Sequence, residues 1–282
     1  MADHIVEVDG IRVPGFLYGT AWKEEETERL TLLALQQGFR GIDTANQRRH
    51  YHEAAVGQAV TAALAQKLLT REELFLQTKF TFRRGQDHRL PYDPEASVAV
   101  QVEQSCASSL EHLGVDRIDS YVLHGPTFQR GLAAVDWEAW RAMETLHDSG
   151  RVRLLGISNV ALDQLQALWK QARIRPRFVQ NRCYATKGWD RDVRAFCRAN
   201  GILYQGFSLL TANRQVLDST ELTRIAQRHG RTPAQIIFRF AIEVGMLPLT
   251  GTTSADHMRA DLEAFAFHLE PAEVERIDRL AG

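Results

Sequence analysis

The chain has 282 residues, of which 44% are hydrophobic and 24% are charged, and its formal net charge is −1 at pH 7. This composition is typical of a globular protein, and the balanced charge argues against nucleic acid or an anionic membrane as a partner. No apolar run approaches the ~20 residues of a transmembrane helix, and the segment MADHIVEVDG lacks a secretory-signal pattern. Three widely spaced cysteines favour reduced, buried thiols, so we expect a cytoplasmic protein.

The first predicted element is a β-hairpin. In the segment IVEVDGIRVP (5–14), an Asp9-Gly10 turn separates two short runs rich in β-branched residues. Eight apolar, strand-like runs follow in chain order, with helical patterns between them. The runs are GFLYG (15–19), FRGID (39–43), LFLQTK (74–79), DSYVLH (119–124), RLLGIS (153–158), RFVQN (177–181), ILYQGF (202–207) and MLPLT (246–250).

Two of the intervening helices have clear signals. Thr232, Pro233 and Gln235 have the order of an N-cap, a first helical position and a capping-box partner, which predicts a helix start. Another helix is predicted by a single apolar stripe, whose members recur every three or four residues: Val98, Val102, Cys106, Leu110 and Leu113.

Eight strand–helix units predict an α/β fold of the (β/α)8 TIM-barrel type. The strand runs are nearly continuous in apolar residues, as in parallel strands that are covered on both faces. A doubly wound sheet shares this alternation, but no Gly-x-Gly-x-x-Gly follows any strand run. No linker or low-complexity tract divides the sequence, so we expect one domain over residues 1–282.

Charged and polar residues close several of these strands. Asp43, Lys79 and His124 end three consecutive barrel strands, where the active sites of such barrels lie. Asp43 and Lys79 could form a purely structural ion pair, and His124 taken alone is more simply a core histidine. Together they predict a lysine–carboxylate pair beside a histidine on one rim of the barrel, because unpaired charges are costly to bury.

The sequence resembles the aldo-keto reductases. The resemblance is carried by GFRGIDTA, LFLQTKF, LGVDRIDSYVLHGP, GRVRLLGISN, PRFVQN and RTPAQIIFRF, in the family's order over nearly the whole chain. It implies a barrel whose bottom is closed by the hairpin, and hydride transfer between a nicotinamide cofactor and a carbonyl without a metal. It also implies a catalytic tetrad of Asp43, Tyr51, Lys79 and His124.

The tyrosine is the least regular member of this tetrad. The family places it five residues after the aspartate, where this chain has Arg48, and about two extra residues precede Glu53. Counting back from Glu53 leads to His50 or Tyr51. We assign Tyr51, because a phenol with a pKa near ~10 can become an effective acid beside an ammonium group.

Two histidines of the same loop remain alternatives to Tyr51. An imidazole could replace the phenol as proton donor, which makes His50 and His52 the rivals. A metal site on this histidine pair is a weaker hypothesis, because no third ligand is apparent.

The resemblance implies NADPH as the cofactor. Ser158, Asn159 and Gln180 correspond to the residues that bind the nicotinamide carboxamide, and Phe207 stands where the family has a ring-stacking tyrosine. The backbone from Ser208 to Leu210 would bind the pyrophosphate. The family's Pro-Lys-Ser stretch is LTGTTSADHMRADL here, so we expect weaker discrimination against NADH. The residues assigned to the cofactor by resemblance, beyond those already given, are Thr20, Gly251, Thr252, Thr253, Ser254, His257 and Asp261.

The substrate pocket is predicted to be aromatic and open. Its candidate wall residues are Trp22, Phe80, Thr127 and Phe128, with Phe82 close by, although each could serve ordinary packing. Such a wall suits aromatic or medium-chain aldehydes and ketones. The chain stops at DRLAG, whereas many relatives continue over the pocket, so we expect broad specificity.

These patterns favour a cytoplasmic NADPH-dependent carbonyl reductase that is a monomer or weak oligomer. The main alternative is a non-catalytic NADP(H)-binding regulatory subunit on the same fold, because fold alone does not fix function. A barrel enzyme acting on phosphosugars is a third option, which Ser158, Asn159 and Gln180 fit poorly.

Overall fold

The computed structural model of the protein describes residues 4–280. Its strands are β1 (Ile5–Val8), β2 (Ile11–Pro14), β3 (Leu17–Gly19), β4 (Gly41–Asp43), β5 (Phe75–Phe80), β6 (Ile118–Leu123), β7 (Val152–Ser158), β8 (Phe178–Arg182), β9 (Leu203–Phe207) and β10 (Met246–Thr250). Strands β3 to β10 form a closed parallel barrel in chain order, with β10 paired to β3. The predicted (β/α)8 barrel is therefore confirmed, and each strand begins and ends within two residues of its predicted bounds.

Helices surround this barrel. They are α1 (Thr27–Gln37), α2 (Glu53–Ala65), α3 (Val98–Leu113), α4 (Ala134–Asp148), α5 (Leu162–Gln171), α6 (Arg191–Ala199), α7 (Arg214–Leu217), α8 (Thr220–His229), α9 (Pro233–Glu243), α10 (Ala255–Leu262) and α11 (Pro271–Arg279). The predicted capping box starts α9, because the Thr232 hydroxyl accepts from the Gln235 backbone N–H at 3.2 Å and the Gln235 side chain accepts from the Thr232 N–H at 3.0 Å.

The strand sequences fit a barrel that is covered on both faces. Every residue of β5 and β6 is buried, so one face of each strand fills the barrel interior and the other meets the helices. Alternation along β5 directs Gln77 and Lys79 inward and Thr78 and Phe80 toward the helix layer. The direction of Thr78 is visible in its hydrogen bond to Glu53 at the start of α2.

The N-terminal hairpin closes the bottom of the barrel. Asp9 and Gly10 have φ angles of 50° and 74°, as a two-residue hairpin turn with two left-handed residues requires. Arg177, just before β8, donates to both Asp9 carboxylate oxygens at 2.6 and 2.9 Å. The hairpin contributes three side chains to an apolar cluster with the lower strand ends. The members of this bottom cluster are Val8, Ile11, Val13, Leu17, Phe75, Leu154, Phe178, Leu247 and Leu249.

Two further expectations from the sequence concern membrane-spanning helices and the cysteine thiols. Within residues 4–280, no helix has the length and apolar character needed to cross a bilayer. Cys106, Cys183 and Cys197 are all buried and unpaired, as their interpretation as small apolar residues predicts.

The bottom cluster makes a prediction about stability. Replacing Ile11 with alanine removes buried methyl groups beneath the barrel, so we expect the free energy of unfolding to fall by about 2 to 5 kcal/mol. Arg12→Ala, at the exposed neighbouring position, is the matched control and should change it by no more than about 0.5 kcal/mol. Urea unfolding followed by circular dichroism measures both. Equal effects of the two substitutions would contradict a packing role for the hairpin.

Candidate active site

A buried ion pair lies at the upper ends of β4 and β5. The Lys79 ammonium is 2.7 Å from Asp43 Oδ1 and donates to the Thr44 carbonyl oxygen at 2.7 Å, and its side chain has 0% exposure. Adjacent, parallel β4 and β5 bring the two residues together. Burial lowers the pKa of Lys79, while Asp43 and Glu53 oppose this shift. The Lys79 ammonium is therefore removed from water and paired with a carboxylate at the rim of the barrel. The positions of Asp43 and Lys79 at the ends of consecutive strands predict this pair.

A network of side-chain amides supports this pair from below. Asp43 Oδ1 also accepts hydrogen bonds from Gln77 Nε2 at 2.7 Å and from Gln180 Nε2 at 3.0 Å. Gln205 Oε1 accepts from the same two amides, and the Ser120 hydroxyl donates to Gln77 Oε1 at 2.8 Å. Gln77, Gln205 and Ser120 were not predicted from the sequence. Each is a polar residue at an inward position of an otherwise apolar strand, which is the pattern that could have indicated them.

Tyr51 lies beside the ion pair. Lys79 Nζ is 5.3 Å from the centroid of the Tyr51 ring, and the rings of Tyr51 and His124 are 6.0 Å apart in an edge-to-face arrangement. The Tyr51 hydroxyl has no hydrogen-bond partner among the described residues. Burial and, secondarily, the Asp43 carboxylate raise the pKa of Tyr51 above its usual value. This direction differs from the expected lowering by Lys79, because Asp43 compensates the ammonium and desolvation dominates.

Polar contacts hold the irregular loop that carries Tyr51. Asn46 Nδ2 donates to the Ser105 carbonyl oxygen of α3 at 3.0 Å, and Gln47 Nε2 donates to the Gly85 carbonyl oxygen at 2.6 Å. The Tyr51 backbone N–H donates to the Gln47 carbonyl oxygen at 3.0 Å, which closes a turn. The extra residues of the loop are thus accommodated in a turn anchored on both sides, which brings the Tyr51 ring next to Lys79.

The two rival histidines lie in different surroundings. His50 packs its ring on Trp22 with a centroid distance of 3.9 Å, and its carbonyl oxygen accepts from the Trp22 N–H at 2.7 Å. His52 precedes α2 at its N-cap position, and its Nδ1 is buried without a partner in the described residues. Across residues 4–280, no cluster of three or more potential ligands from His, Cys, Asp and Glu could hold a metal ion.

His124 follows β6 and faces Tyr51. Its backbone N–H donates to the Phe80 carbonyl oxygen at 2.9 Å, and its carbonyl oxygen accepts from Asn159 Nδ2 at 2.8 Å. Its Nδ1 is 2.7 Å from the Thr81 hydroxyl. Burial and the nearby Lys79 ammonium lower the pKa of His124 to about 3, so the imidazole is neutral near neutral pH.

The predicted carboxamide residues meet next to this centre. Ser158 donates to the Gln180 carbonyl oxygen at 2.6 Å, and both amide hydrogens of Gln180 are engaged by Asp43 and Gln205. The side-chain oxygens of Asn159 and Gln180 have no protein partner in the described residues. Two free acceptors match the two hydrogens of a carboxamide NH2 group, so these residues fit a nicotinamide.

Left-handed backbone angles mark the loops above the barrel. Trp22, Asn159 and Ser208 have φ angles of 62°, 52° and 56°, although none of them is glycine. They follow β3, β7 and β9 respectively, on the rim where the site lies. Such conformations are strained for L-residues and cluster at functional sites.

The predicted ring-stacking and pyrophosphate residues follow β9. Phe207 is half-buried, and the Arg182 guanidinium is 5.6 Å from its ring centroid. Ser208 and Leu210 are half-buried in the loop after β9. These three residues are therefore partly exposed.

The loop after β10 presents hydroxyl groups and a helix N-terminus. Ser254 caps α10 by accepting from the His257 N–H at 3.4 Å, and Thr252 Oγ1 lies 3.5 Å from His257 Nδ1. Thr253 lies between them and is exposed. Arg259 points elsewhere, since it pairs with Asp256 and donates to Gln37 at 2.9 Å.

Lys23 extends to this same loop from the segment after β3. Its ammonium donates to the Gly251 carbonyl oxygen, and a Cβ on Gly251 would lie 3.5 Å from the Lys23 nitrogen. Within residues 4–280, no carboxylate lies within ion-pair distance of Lys23, and burial lowers its pKa. Lys23 thus brings a cation to the place where the family sequence has lysine and this chain has Gly251. Lys23 was not predicted from the sequence, because the two residues are 228 positions apart.

Two residues assigned to the cofactor by resemblance are buried within the protein. The Thr20 hydroxyl donates to the Asp43 carbonyl oxygen at 3.0 Å, which ties β3 to β4. Asp261 accepts from the Thr250 hydroxyl at 2.8 Å, and burial raises its pKa to about 7. Both side chains therefore make contacts within the protein.

The predicted substrate residues divide into three groups. Trp22 and Phe128 are exposed on the rim, at 67% and 62%. Thr127 is half-buried, and its N–H and hydroxyl both donate to Asp136 Oδ1 at 2.8 and 2.7 Å.

Phe80 is fully buried against Phe82 and Tyr92, so it offers no surface to a pocket. The expectation for Phe80 is therefore wrong. Strand alternation explains this, since Lys79 points inward and its neighbour must point outward.

Comparisons with known proteins agree with this geometry. Residues 16–281 match the model of the Aldo/keto reductase family. The chain is 30% identical to the uncharacterized oxidoreductase YtbE of Bacillus subtilis over 274 residues, covering 96% of this chain and 90% of that protein. It is 28% identical to the glyoxal reductase of Bacillus subtilis over 275 residues, covering 96% and 90%.

A solved structure is similar over the whole barrel. The crystal structure of an aldo-keto reductase from Bombyx mori in complex with NADP is 25% identical, with a TM-score of 0.84 and coverage of 99% of this chain and 93% of that one. The matching family model spans all eight barrel strands and every residue proposed for the catalytic tetrad. The chain belongs to the aldo/keto reductase family of oxidoreductases.

Proposed function

We propose that the protein is an NADPH-dependent reductase of aldehydes and ketones in which Tyr51 donates the proton. The observation that carries this proposal is the position of the Tyr51 phenol between the Lys79–Asp43 pair and the neutral His124. The relatives support it, since one is a glyoxal reductase and a similar solved structure contains NADP. Bound NADPH supplies a hydride to the carbonyl carbon.

The side chains divide the remaining chemistry among them. Negative charge develops on the carbonyl oxygen as the carbon is reduced, and a donor aimed at that oxygen stabilises it. A phenol is protonated near neutral pH, and the raised pKa of Tyr51 preserves this state, so Tyr51 holds a proton for that oxygen. Lys79 contributes positive charge near the phenolate that Tyr51 becomes, and Asp43 keeps Lys79 in place.

The nicotinamide end of the cofactor is proposed to bind between β7, β8 and β9. The free side-chain oxygens of Asn159 and Gln180 would accept from the carboxamide NH2 group, with Ser158 adjacent. Phe207 would stack on the ring, because an aromatic face without a hydroxyl still provides flat apolar contact. Gln205 would hold Gln180 in the required orientation, because its side-chain oxygen accepts from the Gln180 amide. Gln77 donates to the same Gln205 oxygen and would keep Gln205 in place.

The phosphate groups are proposed to lie between Lys23 and α10. Lys23 has no carboxylate partner in the described residues and is close to Gly251 and Thr252, so an anion would compensate its charge. The N-terminus of α10 and the hydroxyls of residues 252–254 add hydrogen-bond donors. This set favours NADPH with modest discrimination against NADH.

The substrate is proposed to be an aromatic or medium-chain aldehyde or ketone. Trp22 and Phe128 stand exposed on the rim, where they would contact the part of the substrate away from the carbonyl. The carbonyl oxygen itself would lie within reach of Tyr51 and His124.

Replacing Tyr51 with phenylalanine tests the proton donor. We expect Tyr51→Phe to lower kcat for an activated aromatic aldehyde by about 10²- to 10⁴-fold, because the substitution keeps the ring and removes the hydroxyl group that donates the proton. NADPH oxidation followed by absorbance measures turnover, and NADPH fluorescence measures binding, which should be unchanged.

His50→Gln is the matched control in the same loop, and it should keep most of the activity. Full activity of Tyr51→Phe together with loss of activity in His50→Gln would transfer the donor role to His50. If the wild-type protein binds NADPH but reduces none of a panel of carbonyls, the non-catalytic subunit is the correct alternative.

Replacing Lys23 with methionine tests the phosphate contact. We expect Lys23→Met to weaken NADPH binding by roughly 10-fold, since it removes one charge-assisted hydrogen bond. Fluorescence titrations with NADPH and NADH measure both dissociation constants. A loss confined to NADPH assigns Lys23 to the 2′-phosphate, whereas equal losses assign it to the pyrophosphate.

Arg259→Met is the control, because its guanidinium already pairs with Asp256. Unchanged binding of both cofactors by Lys23→Met would contradict a phosphate contact.

A further inference from the structure

Thr81 has a contact that the catalytic tetrad does not explain. It stands two residues after Lys79, just beyond the end of β5, and its hydroxyl lies 2.7 Å from His124 Nδ1. The residue is 5% exposed. Within the described residues, the Thr81 hydroxyl has no other hydrogen-bond partner.

The direction of this hydrogen bond follows from the inventory of donors and acceptors. A neutral imidazole carries its hydrogen on one nitrogen and accepts on the other. If Nδ1 carried the hydrogen, the buried Thr81 hydroxyl would accept it and its own hydrogen would have no acceptor, which costs free energy. If Thr81 donates to Nδ1, both groups are satisfied. The hydrogen of His124 is then on Nε2.

Because His124 is neutral, the nitrogen that carries its hydrogen is the only one that can donate. Burial and the Lys79 ammonium lower the pKa of His124 to about 3, so one nitrogen is an acceptor near neutral pH and only the other can donate. His124 Nε2 has no partner among the described residues. It is therefore the ring atom available to a substrate oxygen.

The surroundings of Thr81 fix its side chain. Its carbonyl oxygen accepts from the Tyr92 hydroxyl at 2.8 Å and from Gln86 Nε2 at 3.4 Å. Its methyl group packs so closely on Gly85 that a Cβ there would lie 2.7 Å from Thr81 Cγ2. With the methyl group held against Gly85, the hydroxyl is directed at His124.

We propose that Thr81 is a positioning residue that holds His124 in the tautomer with its hydrogen on Nε2, where it donates to the carbonyl oxygen of the substrate. The kinetic part of this inference rests on the proposed reductase function. The tautomer itself is a property of the ligand-free protein. The two parts can therefore fail separately.

A pair of substitutions separates the hydroxyl from the methyl group. Thr81→Val keeps the shape and removes the hydroxyl, whereas Thr81→Ser keeps the hydroxyl and removes the methyl. We expect Thr81→Val to lower kcat/KM for an aromatic aldehyde by about 10- to 100-fold, somewhat less than complete loss of an oxyanion donor. Thr81→Ser should stay within about 3-fold of the wild-type value, and both variants should bind NADPH as the wild type does.

The opposite kinetic pattern would overturn the proposal. Full activity of Thr81→Val would mean that His124 does not need the hydroxyl. A loss of activity in Thr81→Ser with full activity in Thr81→Val would assign the effect to packing of the methyl group against Gly85.

Nitrogen-15 NMR of histidine-labelled, ligand-free protein tests the tautomer directly. The wild-type His124 resonances, assigned by their absence in His124→Gln, should show a protonated Nε2 and an unprotonated Nδ1. Thr81→Val should shift this pattern toward the other tautomer or a mixture, and Thr81→Ser should preserve it. A protonated Nδ1 in the wild type would overturn the proposal even if the enzyme is active. The expected spectrum from a protein that reduces no carbonyl would support the tautomer and reject the reductase function alone.

Discussion

The buried contact between Lys79 and Asp43 is the interaction around which the upper half of the barrel is arranged. Removing an ammonium and a carboxylate from water costs several kcal/mol for each ion, and the cost is offset only if every remaining hydrogen-bonding position finds a partner. Asp43 Oδ1 accepts from Lys79, Gln77 and Gln180, so one oxygen collects three donors. The amides of Gln77 and Gln180 therefore help to compensate for burying this ion pair.

This requirement divides the barrel interior into two zones. The lower zone is apolar, closed by the hairpin through Val8, Ile11 and Val13. The upper zone contains amides and the ion pair, and it opens to the rim where the loops converge. The division agrees with the general separation of stability and chemistry between the two faces of such barrels. The same glutamine that supports Asp43 keeps a free side-chain oxygen, so the charge network and the proposed nicotinamide site would share Gln180.

The proposed acids around the carbonyl oxygen are both uncharged near neutral pH. A phenol is uncharged there at its ordinary pKa, and burial raises the pKa of Tyr51 further. Burial and the Lys79 ammonium lower the pKa of His124, which keeps its imidazole neutral. Each uncharged group keeps one hydrogen to donate. The irregular loop tolerates its extra residues because Asn46 and Gln47 anchor it to neighbouring backbone, which leaves the tyrosine ring beside Lys79.

The sequence by itself determined the eight strands, the hairpin and the positions of Asp43, Lys79 and His124. These follow from local periodicity and from strand ends, which are properties of short segments. Tyr51 was selected by chemistry and by the family register, and only the tertiary structure brought its ring beside Lys79. Phe80 was misjudged because its direction depends on which face of β5 points inward.

Tertiary structure alone decided the contacts between distant segments. Gln77 meets Gln205 across 128 positions, Lys23 reaches Gly251 across 228, and Thr81 meets His124 across 43. No local pattern encodes these pairs, because closure of the barrel fixes which strand ends become neighbours. The sequence thus specified the strands and most of the residues at their ends, while closure determined which of those residues touch.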